Sequence, residues 1–316
     1  MSKVAFVFPG QGSQSVGMGL DFYEHPAARH VFDVFDRLVA PNLSQVCFRG
    51  PEEELRRTIY TQPAILGTAI AALELFRERC PVQPHVLAGH SLGEYGAHYA
   101  AGVISLDTAA QLIKRRAELM ENAPKGAMSA VLGLSGEAVA QVISGYREET
   151  GAVIAVANYN TDQQTVISGA VDAVADVAAR LKDAGAKRVM PLPVGGAFHS
   201  PLMQPAAESF AGYLAEFKFQ NASVPVVTNV DAALTTDAAE IQRKLGSQID
   251  GSVRWTQTMT RMVSDCGVDT VIEFGPGKVL TGMFKKSFPA LRVFNVLDLA
   301  SLEETVAQLG ACLACV

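Results

Sequence analysis

Cysteine is scarce and scattered. The 316-residue chain has Cys47, Cys80, Cys266, Cys312 and Cys315, an odd number without the dense spacing of a disulfide framework. A reducing compartment, the cytoplasm, is the expectation. Cys312-Leu-Ala-Cys315 has redox or metal spacing, but with no second pair and no nearby His it reads as burial or an apolar chain end, and no metal site is expected. A basic surplus is also missing: the formal net charge is −6 and the charges are dispersed, which argues against a general electrostatic grip on nucleic acid or anionic membrane. Long hydrophobic runs are lacking as well. The apolar stretch at 4–8 is too short for a signal peptide, and no segment is expected to span a bilayer. Nucleotide loops are absent too, because Gly10 and Gly12 are followed by Ser15 where GxGxxG needs glycine, and neither this loop nor Gly275-Pro276-Gly277-Lys278 fits GxxxxGK[ST].

What is present is a composition 49% hydrophobic, enough to bury a large core and a smaller second one. The strand-like 4–8 run enters a Gly- and Ser-rich loop at 10–19 able to wrap closely around a ligand. A helix over 62–79, a strand over 85–88, a sharp turn and a helix over 92–101 follow, which is α/β grammar. From 127 the pattern is strand (128–134), helix (136–147), two strands (153–158, 164–168), helix (171–184) and strand (188–194), the βαββαβ order of a ferredoxin-like unit. A further strand is read at 270–274. The fold expected is therefore α/β, with a large catalytic lobe from 1–126 and 196–316 and an inserted ferredoxin-like small lobe at 127–195.

Gly89-His90-Ser91-Leu92-Gly93 matches GxSxG between a strand and a helix, the setting of a nucleophile elbow. Glycines permit the tight turn that lifts Ser91 Oγ into the open near the positive end of the next helix. A serine hydroxyl needs a base at neutral pH. Of the histidines, His25 and His30 fall in a polar early helix, His85 begins a strand, His90 points away from its neighbour, and His98 packs. His199 follows the flexible Gly195-Gly196 and precedes Ser200-Pro201, read as an N-cap with proline at the first helical position. The helix end there disfavours imidazolium and keeps His199 able to accept a proton. Asp162 and Asp183 lie between Ser91 and His199 without a triad context, so the base is oriented by an acid, a backbone carbonyl or an amide.

Helical periodicity from Ser105 places Ala109, Leu112, Ile113, Arg116 and Met120 on one inward face. A lone cation there costs several kcal/mol unless paired. Its partner is either a protein carboxylate or a ligand carboxylate, and periodicity leaves both open.

The motifs FPGQGSQ (8–14), TQPAI (61–65), GHSLGEY (89–95), FHSPLM (198–203) and EFGPGKVL (273–280), the arginine-bearing helix and the Gln248 segment before Trp255 run through nearly the whole chain. Together they resemble the malonyl-CoA:acyl carrier protein transacylases and the related acyltransferase domains of polyketide synthases. The resemblance implies a hydrolase-like large lobe, Ser91 as acylated nucleophile, His199 as base and Arg116 as clamp for the malonyl carboxylate. It further implies oxyanion-hole N–H groups from Gln11 and Leu92, a histidine-orienting carbonyl at Gln248, and Phe198 as a substrate-binding residue of the malonyl type. Ala197 stands where many relatives have proline. The implied reaction moves a malonyl group from CoA to the phosphopantetheine thiol of acyl carrier protein by a ping-pong route in fatty-acid or polyketide synthesis. No cofactor is implied, since the phosphopantetheine belongs to the partner. The alternatives are a trans-acting polyketide synthase acyltransferase or a serine thioesterase. An acidic carrier protein meeting an acidic chain needs a local basic patch, for which Lys187, Arg188, Lys285 and Lys286 are the candidates.

Overall fold

The computed structural model describes residues 2–313, with side chains through 310, so the Cys312/Cys315 pair lies outside the described residues. The strands are β1 (Val4–Phe8), β2 (Val86–Gly89), β3 (Ala127–Leu132), β4 (Ile154–Thr161), β5 (Gln164–Gly169), β6 (Arg188–Pro191), β7 (Val226–Val227), β8 (Leu234–Thr235), β9 (Thr270–Phe274) and β10 (Arg292–Val296). They form a large sheet in the order β10-β9-β1-β2-β7-β8 and a separate sheet in the order β4-β5-β3-β6. The large sheet is parallel apart from its β7–β8 edge, and the small one is antiparallel.

β1 explains the layering. All five residues are buried, and alternate side chains enter different cores: Val4, Phe6 and Phe8 join one, Ala5 and Val7 the other. A strand apolar on both faces belongs in the middle of a parallel sheet covered on both sides. On the phenylalanine side lies helix α1 (Thr58–Arg79), whose Phe76 ring meets Phe6 edge-on at 5.6 Å. On the other side lie Trp255 and Phe284.

α1 corrects one expectation. By length and composition this 22-residue helix is apolar enough to cross a membrane, yet 83% of its most apolar window is buried inside the protein. It is apolar all round because the fold covers it all round.

Helix α2 (Gly93–Ala100) follows β2, and helix α3 (Leu106–Glu121) starts at Ser105, whose Oγ accepts the Thr108 N–H as an N-cap. Helices α4 (Gly136–Thr150) and α5 (Val171–Asp183) pack on the small sheet. The strand read as far as 194 stops at Pro191, and β4 runs on to Thr161 through two irregularities in its pairing with β5. Both differences matter locally, since Leu192 and Val194 after β6, and Asn160 in the extension of β4 with Asn158 just before it, line one cavity.

Candidate active site

The cavity lies beyond the C-terminal ends of β1 and β2, the usual ligand position in an open parallel sheet. Its volume is about 220 Å3. The turn after β2 presses against the end of β1: the His90 N–H donates to the Phe8 carbonyl at 2.9 Å. The contact leaves no room for side chains. A Cβ on Gly93 would sit 2.1 Å from the Phe8 oxygen, and one on Gly89 would sit 2.0 Å from the Gly93 oxygen. Ser91 takes the corner with φ +52, in the left-handed region that costs non-glycine residues strain.

His199 also has positive φ, +57, and its Nε2 lies 2.8 Å from Ser91 Oγ. Its Nδ1 lies 2.9 Å from the Gln248 carbonyl and 3.0 Å from the Gly251 carbonyl. Carbonyls only accept, so Nδ1 carries the hydrogen and Nε2 is left to accept from the serine. No acid enters this arrangement, and Gly251 is an orienting partner that the sequence did not suggest. Burial and the nearby Arg116 charge push the His199 pKa down to about 3. Ser200 does stand at the N-cap of a helical turn with Pro201 at its first position, as expected, and burial and the Arg116 charge are causes of the neutral imidazole that the sequence did not suggest. Ser200 makes no side-chain cap; its Oγ donates to the Ala197 carbonyl, and Pro201–Met203 forms a 3-10 turn before the following helix.

Arg116 is 1% exposed on the inward face of α3. Its Nη1 donates to Gln62 Oε1 at 2.7 Å, and its Nη2 donates to Ser91 Oγ at 3.0 Å and to Gln248 Oε1 at 3.0 Å. Nε has no hydrogen-bond partner among the described residues. Among the described residues no carboxylate forms an ion pair with it. Burial draws its pKa below the ordinary arginine value, opposed by Tyr95 and Glu94. A guanidinium held by neutral oxygens alone keeps its capacity for an incoming anion.

Gln11, Leu92 and Phe198 line the cavity with Ser91, Arg116 and His199, whereas Gln248 sits behind them, 1% exposed. Neither the Gln11 nor the Leu92 backbone N–H has an acceptor among the described residues. Sequence reasoning gave no role to Gln62 or Glu94, although both lie within quoted motifs. The available signal was a polar residue amid apolar neighbours: Gln62 precedes a long apolar run, and Glu94 begins a small-residue helix. Glu94, buried on α2, accepts from Gln248 Nε2 at 2.5 Å. The Gln248 amide therefore stands between the Glu94 carboxylate and the Arg116 guanidinium, and keeps the two charges apart. His98 is fully buried with Glu94 3.4 Å away, and His90 Nε2 lies 2.9 Å from Asn160 Oδ1.

The acyl transferase domain family matches residues 5–302. The malonyl CoA-acyl carrier protein transacylase of Bacillus subtilis (strain 168) is 44% identical over 313 residues, covering 98% of each chain. The chain belongs to this transacylase family. The relative from Escherichia coli (strain K12), of the same name, is 39% identical over 315 residues, 98% of this chain and 99% of its own. Among solved structures, an acyl carrier protein S-malonyltransferase of Vibrio cholerae superposes with a TM-score of 0.92 at 42% identity, over 96% of this chain and 100% of that one. A structure described as a type II PKS acyl-carrier protein in complex with its malonyl-transacylase matches at TM-score 0.92 and 37% identity, over 97% of this chain and 100% of that one. Members of this transacylase family thus share the chain's α/β architecture, with its mostly parallel sheet and separate antiparallel sheet.

Proposed function

We propose that the protein is an [acyl-carrier-protein] S-malonyltransferase that carries malonyl from CoA to the phosphopantetheine thiol of acyl carrier protein through an ester on Ser91. The observation that carries this reading is the triangle of Ser91, His199 and Arg116, in which a serine shares its oxygen with a neutral base and a buried cation that has no carboxylate partner among the described residues. Ser91 sits on a nucleophile elbow of a hydrolase-like large lobe formed by 1–126 and 196–316, and the ferredoxin-like small lobe at 127–195 closes the cavity with Asn158, Asn160, Leu192 and Val194.

In the first half-reaction His199 Nε2 takes the Ser91 proton as Oγ attacks the malonyl thioester carbon. The oxyanion is received by the Gln11 and Leu92 N–H groups, each donor worth roughly 3 kcal/mol. Collapse breaks the C–S bond, and the CoA thiolate takes the proton from His199. In the second half the phosphopantetheine thiol gives its proton to His199 and attacks the ester, and Ser91 recovers its proton as it leaves. Arg116 binds the malonyl carboxylate, and Phe198 crowds a branched α-carbon. The chemistry calls on no cofactor, and a cytoplasmic setting in fatty-acid or polyketide synthesis fits it. The exposed Lys187 and Arg188 stand at the head of β6, which leads into Leu192 of the cavity wall, and Lys285 and Lys286 stand on helix α6 (Val279–Ser287), which reaches the cavity through Leu280. They are the proposed docking charges for an acidic carrier.

Labelled malonyl-CoA tests the reading. Label should accumulate on wild-type protein, be absent from Ser91→Ala, and pass to holo acyl carrier protein on mixing. Rapid release of free malonate instead would make the enzyme a thioesterase.

A further inference from the structure

The parallel pairing of β2 with β7 ends at Ala88–Val227, just before the turn that bears Ser91. Beyond that point the Gly89 carbonyl and the Ser91 N–H need partners of another kind, because buried backbone groups are rarely left unpaired. Both are met by one side chain. Asn229, two residues past β7 and 1% exposed, accepts the Ser91 N–H on Oδ1 at 2.7 Å and donates from Nδ2 to the Gly89 carbonyl at 2.7 Å. A carboxamide carries an acceptor and a donor side by side, so it continues the ladder in side-chain form across the turn. Asn229 is itself held at both backbone groups: its N–H donates to Glu94 Oε2 at 3.2 Å, and its carbonyl accepts the Arg254 N–H at 3.0 Å.

We infer that Asn229 is a positioning residue whose side-chain amide clamps the Gly89–Ser91 turn and fixes the left-handed corner from which Ser91 Oγ meets His199. The clamp also occupies the Ser91 N–H. An oxyanion at this turn is thereby left to the next amide, Leu92, which has no acceptor of its own among the described residues. The catalytic part of the inference rests on Ser91 being the nucleophile. The clamp itself does not.

Three measurements test it on the full chain. Asn229→Ala removes both bonds, and a displacement on the order of 1 Å at the nucleophile is expected to slow Ser91 acylation by malonyl-CoA about 10²-fold, with KM changed little. Asn229→Asp gives a signature that mere structural damage would not. The protonated acid reproduces the amide's acceptor and donor, while the carboxylate cannot donate to Gly89. Burial and the adjacent Glu94, the titratable group in contact with this residue, raise the pKa of the new acid. The Asn229→Asp rate relative to wild type is therefore expected to fall as pH rises from about 5 to 9. Amide hydrogen exchange at Ser91 reads the clamp without reference to any reaction, and is expected to be slow in wild type and fast in Asn229→Ala. If wild type takes no malonyl label, the functional reading fails while the exchange result still decides the clamp. Unchanged Ser91 exchange in Asn229→Ala, a wild-type acylation rate in that variant, or a flat pH ratio for Asn229→Asp would each overturn the inference.

Discussion

Replacing Arg116 with alanine separates recognition of the acyl carboxylate from the chemistry at Ser91. In the folded chain the guanidinium is 1% exposed and meets Gln62, Gln248 and Ser91 through oxygens that carry no formal charge. A malonyl carboxylate is the first full countercharge it would receive. Hydrogen bonds to charged groups contribute about 1.5–3 kcal/mol each, so a two-point grip is worth about 3–6 kcal/mol. At about 1.4 kcal/mol per tenfold, losing it lowers kcat/KM for malonyl-CoA by roughly 10²- to 10⁴-fold. Arg116 also touches Ser91 Oγ at 3.0 Å, so part of any loss would reflect Ser91, the proposed nucleophile, rather than the substrate. Acetyl-CoA, with no carboxylate, reports that part alone. The quantity to measure is the ratio of the two acylation rates, read as label on Ser91 by intact-protein mass spectrometry in wild type and Arg116→Ala. The malonyl preference should collapse by roughly 10²- to 10⁴-fold, the worth of the carboxylate grip. A variant that acylates more slowly with both donors yet keeps its full preference would refute the clamp.

Other outcomes follow from the same geometry. With the His199 pKa near 3, kcat/KM for acylation should show no limb near pH 6.5, the ordinary histidine value, and a limb there would show His199 protonating in the free enzyme. For stability the sign is set by the depressed folded pKa: between about 6.5 and 3 the unfolded chain binds the proton that the folded chain refuses, so His199 favours unfolding as pH falls through that window, measurable by denaturant titration. Gln248→Glu sets a carboxylate where the amide oxygen now meets Arg116 at 3.0 Å, and should raise the KM for malonyl-CoA by about tenfold or more through competition for the guanidinium; an unchanged KM would count against the need for an uncharged spacer. Gly93→Ala forces a Cβ to within 2.1 Å of the Phe8 oxygen, and is expected to destabilise by about 3 kcal/mol with loss of acylation, whereas a wild-type melting temperature would mean that the turn can yield.

Much of the site was legible because its residues sit in local patterns. Gly89 and Gly93 flank Ser91, and Arg116 interrupts an apolar face, so spacing alone singled them out. His199 stood out through its glycine and proline neighbours, whereas the burial and the Arg116 charge that lower its pKa have no local signal. Gln62, Glu94, Asn229 and Gly251 were not given roles, because their significance depends on partners 52 to 154 residues away, for which no local pattern speaks. The extent of β4 and β6 belongs to the same class, since strand ends are fixed by what the neighbouring strands leave unpaired.

Sequence by itself determined the βαββαβ order, the strand-turn-helix around Ser91 and the inward placement of Arg116, because hydrophobic period and glycine sterics act over a few residues. Tertiary structure alone decided what those residues meet. Two backbone carbonyls, from Gln248 and Gly251, replace an acid behind His199; the Gln248 amide separates Glu94 from Arg116; and Asn229 closes the turn that carries Ser91. Each of these is a contact made when distant segments pack around the ends of β1, β2 and β7, and its geometry exists only in the folded chain.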